Sequence, residues 1–205
     1  MSLSFLLQGL LIGFSIAAPV GPIGVLCIRR TLTQGRAAGL ISGLGAATAD
    51  AIYGCIAGFG LTLISDFLVN QQLWIRLVGG IFLCYLGVKT FLDKPAQTAA
   101  DAVESYSLWS NYASTVFLTL TNPATILSFA AIFAGLGVVK GSFIDAAILV
   151  FGVFIGSVCW WFILSFSVSF LQTSFNQRSL QWVNWVSGSI LILFGAIALL
   201  NNVLK

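Results

Sequence analysis

Long runs without a single charge constrain this chain more than any motif it contains. No Asp, Glu, Lys or Arg occurs from Met1 to Ile28, from Ala37 to Ala49, from Ala51 to Ser65, from Ser105 to Val139, from Ala146 to Gln177 or from Ser179 to Leu204. A bilayer-spanning helix needs about 20 apolar residues, and backbone groups in lipid must be paired within their own segment. The pattern therefore predicts an all-α integral membrane protein with six spans, over 3–28, 37–64, 73–92, 111–137, 142–171 and 182–204. A β-barrel would need alternating segments of about ten residues, whereas these runs are continuous. Only 7% of the 205 residues are charged, against about 25% in a soluble domain, so polar side chains are too few to cover a water-facing surface. No dense basic tract suits nucleic acid. With no histidine, the commonest general base, metal ligand and neutral-pH switch is missing.

The opening Met1-Ser2-Leu3-Ser4 carries no Lys or Arg, and the apolar run behind it is too long for a signal peptide, so the first segment is expected to stay in the protein. Lys and Arg near the span ends set the orientation. The links after the first, third and fifth spans hold Arg29, Arg30, Arg36, Lys89, Lys94 and Arg178, against Arg76, Lys140 and Lys205 on the other side. That bias places both termini outside the cytoplasm, in an inner (cytoplasmic) bacterial membrane.

The polar link around 93–110 divides the chain into a three-helix repeat over 1–92, a cytoplasmic linker over 93–110 and a second three-helix repeat over 111–205. An odd number of spans per half gives the halves opposite orientations. Gly21-Pro22 in the first span matches Asn122-Pro123 in the fourth. Gly45-x-x-x-Ala49-Asp50 in the second matches Gly152-x-x-x-Gly156-Ser157 in the fifth. Inverted repeats of this kind are a recurrent transporter architecture.

Pro19, Pro22 and Pro123 fall inside apolar spans. Each removes a donor and frees a carbonyl four residues back, those of Ser15, Ala18 and Thr119. Asn122 is a favourable N-cap with Pro123 at the first helical position, and Gly21-Pro22 permits the same arrangement. Each restarted helix would present free N–H groups, from Ile23–Gly24 and Thr125–Ile126, suited to a carboxylate. The competing reading is a plain packing kink; two breaks at matching places in inverted halves favour a binding site.

Asp50 sits near the middle of the second span. A carboxylate there costs on the order of 3 kcal/mol. Gly39, Gly43, Ala46, Asp50, Gly54 and Gly58 form a stripe of small side chains that permits close helix approach, with Leu40, Leu44, Ile52, Ile56 and Phe59 largely off it. Asp50 is thus expected to face the bundle interior or a wet cavity. It can carry a proton through a transport cycle, bind a substrate ammonium group, or serve as a protonated strut between helices. Ser15, Thr119, Thr121 and Ser157 can line the same path, although Ser and Thr are often satisfied by their own helix. Trp160 and Trp161 lie deep in the fifth span, and Trp74, Trp109, Trp182 and Trp185 read as interfacial anchors. Cys27, Cys55, Cys84 and Cys159 lie on four different spans without ligand spacing and read as small buried residues.

Three stretches carry a family resemblance. Pro19-Val20-Gly21-Pro22, Thr31-Leu32-Thr33-Gln34-Gly35-Arg36-Ala37-Ala38-Gly39-Leu40 and Gly43-Leu44-Gly45-Ala46-Ala47-Thr48-Ala49-Asp50 resemble the amino-terminal half of the LysE/RhtB amino-acid exporters. Thr119-Leu120-Thr121-Asn122-Pro123-Ala124-Thr125-Ile126-Leu127-Ser128-Phe129 resembles the start of that family's second half. The resemblance implies efflux of amino acids or related small metabolites driven by the proton gradient, with functional positions at Gly21, Pro22, Asp50, Asn122 and Pro123. Val20, Ala49 and Ala124 depart from the usual family pattern and bear on substrate identity.

The expected protein is a non-enzymatic secondary transporter. Substrate binding is assigned to Gly21, Pro22, Asp50, Asn122, Pro123 and Ser157, and proton coupling to Asp50. Its expected partners are a small-molecule substrate and membrane lipids, with no nucleic acid, cofactor or metal. Gly9-x-x-x-Gly13 and Gly54-x-x-x-Gly58 can serve contacts within the chain or between copies in a homo-oligomer. The alternatives are an exporter of ions or other small solutes, a transmembrane thiol-redox carrier, which would want a cysteine in the fourth span, and a non-transporting scaffold.

Overall fold

The computed structural model describes residues 2–19, 21–59, 70–93, 107–122, 124–129, 143–172 and 176–203, and among them all regular structure is helical. In chain order the helices are α1 (Ser2–Ala17), α2 (Pro22–Gln34), α3 (Arg36–Gly58), α4 (Gln72–Leu92), α5 (Leu108–Leu120), α6 (124–129), α7 (Phe143–Gln172) and α8 (Gln177–Val203). Among the described residues four stretches are long and apolar enough to cross a bilayer: Arg36–Gly58, Leu73–Leu92, Phe143–Leu171 and Gln177–Leu200. The α1–α2 pair makes a fifth if counted as one span, bent by 79°. Of the predicted fourth span, α5 and α6 are described while 130–142 lies outside the described residues.

The first bend has a local cause. The helical ladder of α1 closes with the Ala18 N–H on the Phe14 carbonyl at 3.0 Å. Gly21 then adopts an extended conformation as N-cap of α2, and Pro22, which has no N–H to satisfy, takes the first turn. The Val25 N–H closes that turn on the Gly21 carbonyl at 3.0 Å. At its other end α2 runs to Gln34, well past the predicted end at residue 28, and only Gly35, at φ 93°, separates it from α3. Arg29 and Arg30 are therefore helical and buried, not loop residues as their role in the topology count implied.

Glycines fix which helices pair. A Cβ on Gly9 or Gly13 of α1 would strike the backbone of Leu149 or Val153 on α7, and one on Gly152 or Gly156 would strike α1 in return. α4 and α8 meet in the same way through Gly80, Gly87, Gly188 and Gly195. Both are close approaches that larger residues would forbid. The stripe on α3 is buried throughout. Gly43 faces Trp161, and Gly54 and Gly58 face Val150, so this face packs on α7. Gly45, off the stripe, lets α3 approach the Tyr112 carbonyl of α5. The Gly9/Gly13 and Gly54/Gly58 motifs thus serve contacts within the chain. Among the cysteines only Cys27 is fully buried; Cys159 is exposed, and all four are free. Trp74, Trp109, Trp182 and Trp185 all lie exposed near helix ends.

Candidate functional site: a carboxylate between two helix breaks

Asp50 projects from the middle of α3 and is only 2% exposed. The Ser157 hydroxyl of α7 donates to its Oδ2 at 2.7 Å. One turn on, the Trp161 indole Nε1–H donates to the Ser157 oxygen at 3.1 Å. Ser157 therefore spends its single proton on the carboxylate while its lone pair is held by the indole, which fixes the hydroxyl's direction. Asp50 and Ser157 occupy matched positions in the two halves of the sequence.

The second break lies across from the first. α5 ends at Leu120, and the Tyr53 hydroxyl, three residues beyond Asp50 on α3, donates to the Leu120 carbonyl. Asn122 then starts α6. Its Oδ1 accepts from the Ala124 N–H at 3.2 Å, its Nδ2 donates to Thr125 Oγ1 at 3.0 Å, and its carbonyl accepts from the Ile126 N–H at 3.2 Å. Two sequence-based expectations change here. The Ile126 N–H is taken by Asn122, and the Thr119 carbonyl, expected to be orphaned, accepts from the Asn122 N–H at 3.2 Å. Pro123 lies outside the described residues. On the α2 side Gly21 supplies no side-chain cap.

Asp50, Gly21, Pro22 and Asn122 line one cavity of about 60 Å³, together with Thr119 and Trp161. A water needs roughly 10–15 Å³ on this measure, so the space holds a few waters or an ammonium group but not a whole amino acid. Thr119 is 2% exposed, and its Oγ1 is buried without a hydrogen-bond partner in the protein. A buried hydroxyl left unpaired is costly, and a ligand or water in the cavity would satisfy it. Ser157 sits behind Asp50, not on the cavity wall. A second space of about 480 Å³ shares Gly21, Pro22, Asn122 and Thr125 with the first and adds Arg76, Leu83, Ser128 and Phe194. Ligand pockets commonly fall at about 300–1,000 Å³.

The structure thus brings Gly21, Pro22, Asp50, Asn122 and Ser157 into one neighbourhood. In the sequence Thr119 is one of several path residues, and Trp160 and Trp161 stand side by side without a distinction. Trp161 lines the cavity, while Trp160 packs edge-on against Phe14 at 5.4 Å. Spacing carried that signal: Trp161 is four residues after Ser157 and so shares its helix face.

Comparison with known proteins gives the chain's family. The family model described as LysE type translocator matches residues 14–202. The chain is 29% identical to a Bacillus subtilis protein named "Putative amino acid efflux protein YcgF", over 94% of each chain. It is 28% identical to "Chemotactic transduction protein ChpE" of Pseudomonas aeruginosa, over 93% of this chain and 95% of that protein. It is 26% identical to "Uncharacterized membrane protein YrhP" of Bacillus subtilis, over 83% of this chain and 87% of that protein. No solved structure matches the chain. With long charge-poor spans, a bent first span and a buried carboxylate between two interruptions, the chain belongs to the LysE type translocators, a family of membrane transporters rather than enzymes.

Proposed function

We propose that this protein exports amino acids or related small metabolites across the inner membrane by proton antiport. The observation that carries the reading is Asp50, held by Ser157 at 2.7 Å and facing a cavity between the two helix breaks. The substrate's body occupies the space of about 480 Å³. Its ammonium group reaches into the smaller cavity, toward Asp50 and the unpaired Thr119 hydroxyl. Its carboxylate meets the start of α2, where Ile23 and Gly24 line the cavity and the helix dipole favours negative charge. Gly21, Pro22, Asn122 and Pro123 shape the two breaks, and Ser157 positions the carboxylate. Proton and ammonium compete for Asp50, which couples their movements in opposite directions.

Two inverted repeats, 1–92 and 111–205 about a cytoplasmic linker at 93–110, fit the same reading. Under that symmetry α3 exchanges with α7, α4 with α8, and α1 with α5. The contacts follow suit: α1 packs on α7 as α5 packs on α3, and α3–α7 and α4–α8 are self-related pairs. Asp50 and Ser157, matched in the two halves, touch across the α3–α7 pair. With the buried Arg29 and Arg30 set aside, the Lys and Arg count is four (Arg36, Lys89, Lys94, Arg178) against three (Arg76, Lys140, Lys205), and it still favours both termini outside the cytoplasm.

The test is a panel of labelled amino acids in proteoliposomes, with and without a pH gradient. Native protein is expected to move at least one amino acid faster under the gradient, and Asp50→Asn to lose that acceleration. Gradient-driven transport unchanged in the variant would defeat the coupling role. Flat fluxes for every amino acid would defeat the substrate class.

A further inference from the structure

A second polar pocket, away from Asp50, has a volume of about 350 Å³ and is lined by Arg29, Arg30, Lys89, Asp93, Ser110 and Ser114 among others. It lies where the C-terminal ends of α2 and α4 meet the start of α5. Its two arginines are held differently. Arg29 pairs with Asp93 at 2.7 Å and donates through Nε to Asn184 at 2.9 Å. Asn184 in turn donates to the Asp93 carbonyl at 3.0 Å. Among the described residues Arg30, 5% exposed, is bonded to neutral oxygens alone: Ser42, Thr115, Ser114 and the Asn111 carbonyl, at 2.7–2.9 Å. The Ser42, Thr115 and Ser114 hydroxyls spend their own protons on backbone carbonyls of Ala38, Asn111 and Ser110. Their lone pairs are left for the guanidinium, so the charge is held in place by dipoles but not cancelled.

Among the described residues no carboxylate is paired with Arg30. Counting the described residues that line the pocket, Arg29 and Asp93 offset each other, and Arg30 and Lys89 add two positive charges that none of them cancels. A buried cation without a counter-charge is unfavourable, and a small anion entering the pocket would relieve it with charge-assisted hydrogen bonds. Lys89 is exposed and so available from outside.

We propose that this pocket is an oxyanion site, in which a carboxylate or phosphate group binds between Arg30 and Lys89. The volume admits a small solute or the head group of an anionic lipid. The proposal does not depend on the transport reading.

The test uses the full chain purified in neutral detergent. Thermal unfolding is followed against sodium acetate and inorganic phosphate, with chloride holding the ionic strength constant. In parallel, protein in phosphatidylcholine nanodiscs is compared with protein in discs containing phosphatidylglycerol. Saturable stabilisation by a soluble oxyanion assigns the site to a solute; stabilisation by phosphatidylglycerol alone assigns it to a head group. In either arm Lys89→Gln is expected to raise the half-saturating concentration about tenfold, and Arg30→Gln to abolish the effect. If Arg30→Gln does not fold, Lys89→Gln, altered at an exposed position, decides. No saturable stabilisation in any arm, or identical titrations for native protein and Lys89→Gln, overturns the proposal.

Discussion

Ser157→Ala is the sharpest probe of the carboxylate's setting, because it deletes one oxygen and leaves both of its partners buried. Asp50 loses the donor to Oδ2, and Trp161, 4% exposed, loses the acceptor for its Nε1–H. A hydrogen bond to a charged group contributes about 1.5–3 kcal/mol, and an unsatisfied buried donor costs about 1–3 kcal/mol. The second cost falls on the folded state at all times. The first falls on whichever step of the cycle leaves Asp50 ionised. Since 1.4 kcal/mol is a factor of ten, that step is expected to slow by roughly 10- to 100-fold. The assay is gradient-driven uptake into proteoliposomes by native protein, Ser157→Ala, Asp50→Asn and the double variant, with thermal unfolding of each in detergent. If Ser157 acts through Asp50, adding Ser157→Ala to Asp50→Asn slows transport no further, whereas the stability loss from Trp161 persists. Native rates in Ser157→Ala, or additive losses of rate in the double variant, would refute the reasoning.

Other variants test the frame around the site. Gly13→Ala places a methyl group into the Val153 backbone and is expected to cost about 1–3 kcal/mol, read as a lowered unfolding temperature in detergent. Tyr53→Phe strips the Leu120 carbonyl of its side-chain donor at the second break, for an expected loss of about 1–3 kcal/mol by the same measurement. Gly35→Ala and Gly21→Ala form a contrasting pair, since a Cβ meets nothing within 4 Å at either site. Only Gly35 has positive φ, at 93°, so Gly35→Ala is expected to cost about 1–2 kcal/mol of backbone strain and Gly21→Ala close to none.

Those features of the site that follow from chemistry within one segment were legible in the sequence. Proline's missing N–H marked the bend before Pro22, and helical periodicity placed Asp50 on the small face of α3, where the structure buries it. The match of Gly45-x-x-x-Ala49-Asp50 to Gly152-x-x-x-Gly156-Ser157 named two residues that prove to share a hydrogen bond. What depended on partners was not legible. Arg29 and Arg30 look like span-end charges until α3, α4, α5 and α8 supply their acceptors. The Thr119 carbonyl was expected to be stranded, but the turn before α6 folds back on it with a three-residue bond that counting four residues from a proline does not foresee. Thr119's side chain mattered instead, and nothing in the sequence distinguished its hydroxyl from that of Thr115, which ties down Arg30.

The 79° elbow between α1 and α2 joins two arms fastened to different neighbours. α1 lies glycine-to-backbone along α7, and its Phe5, Ile12 and Phe14 side chains pack against residues of that helix. α2 is clamped at its far end by two guanidinium groups reaching α3, α4, α5 and α8. An elbow whose two arms are each fastened to different helices holds the start of α2 at Gly21 in place beside Asp50. The joint that shapes the cavity is thereby braced from both sides, so the helices that hold its arms set the cavity's width.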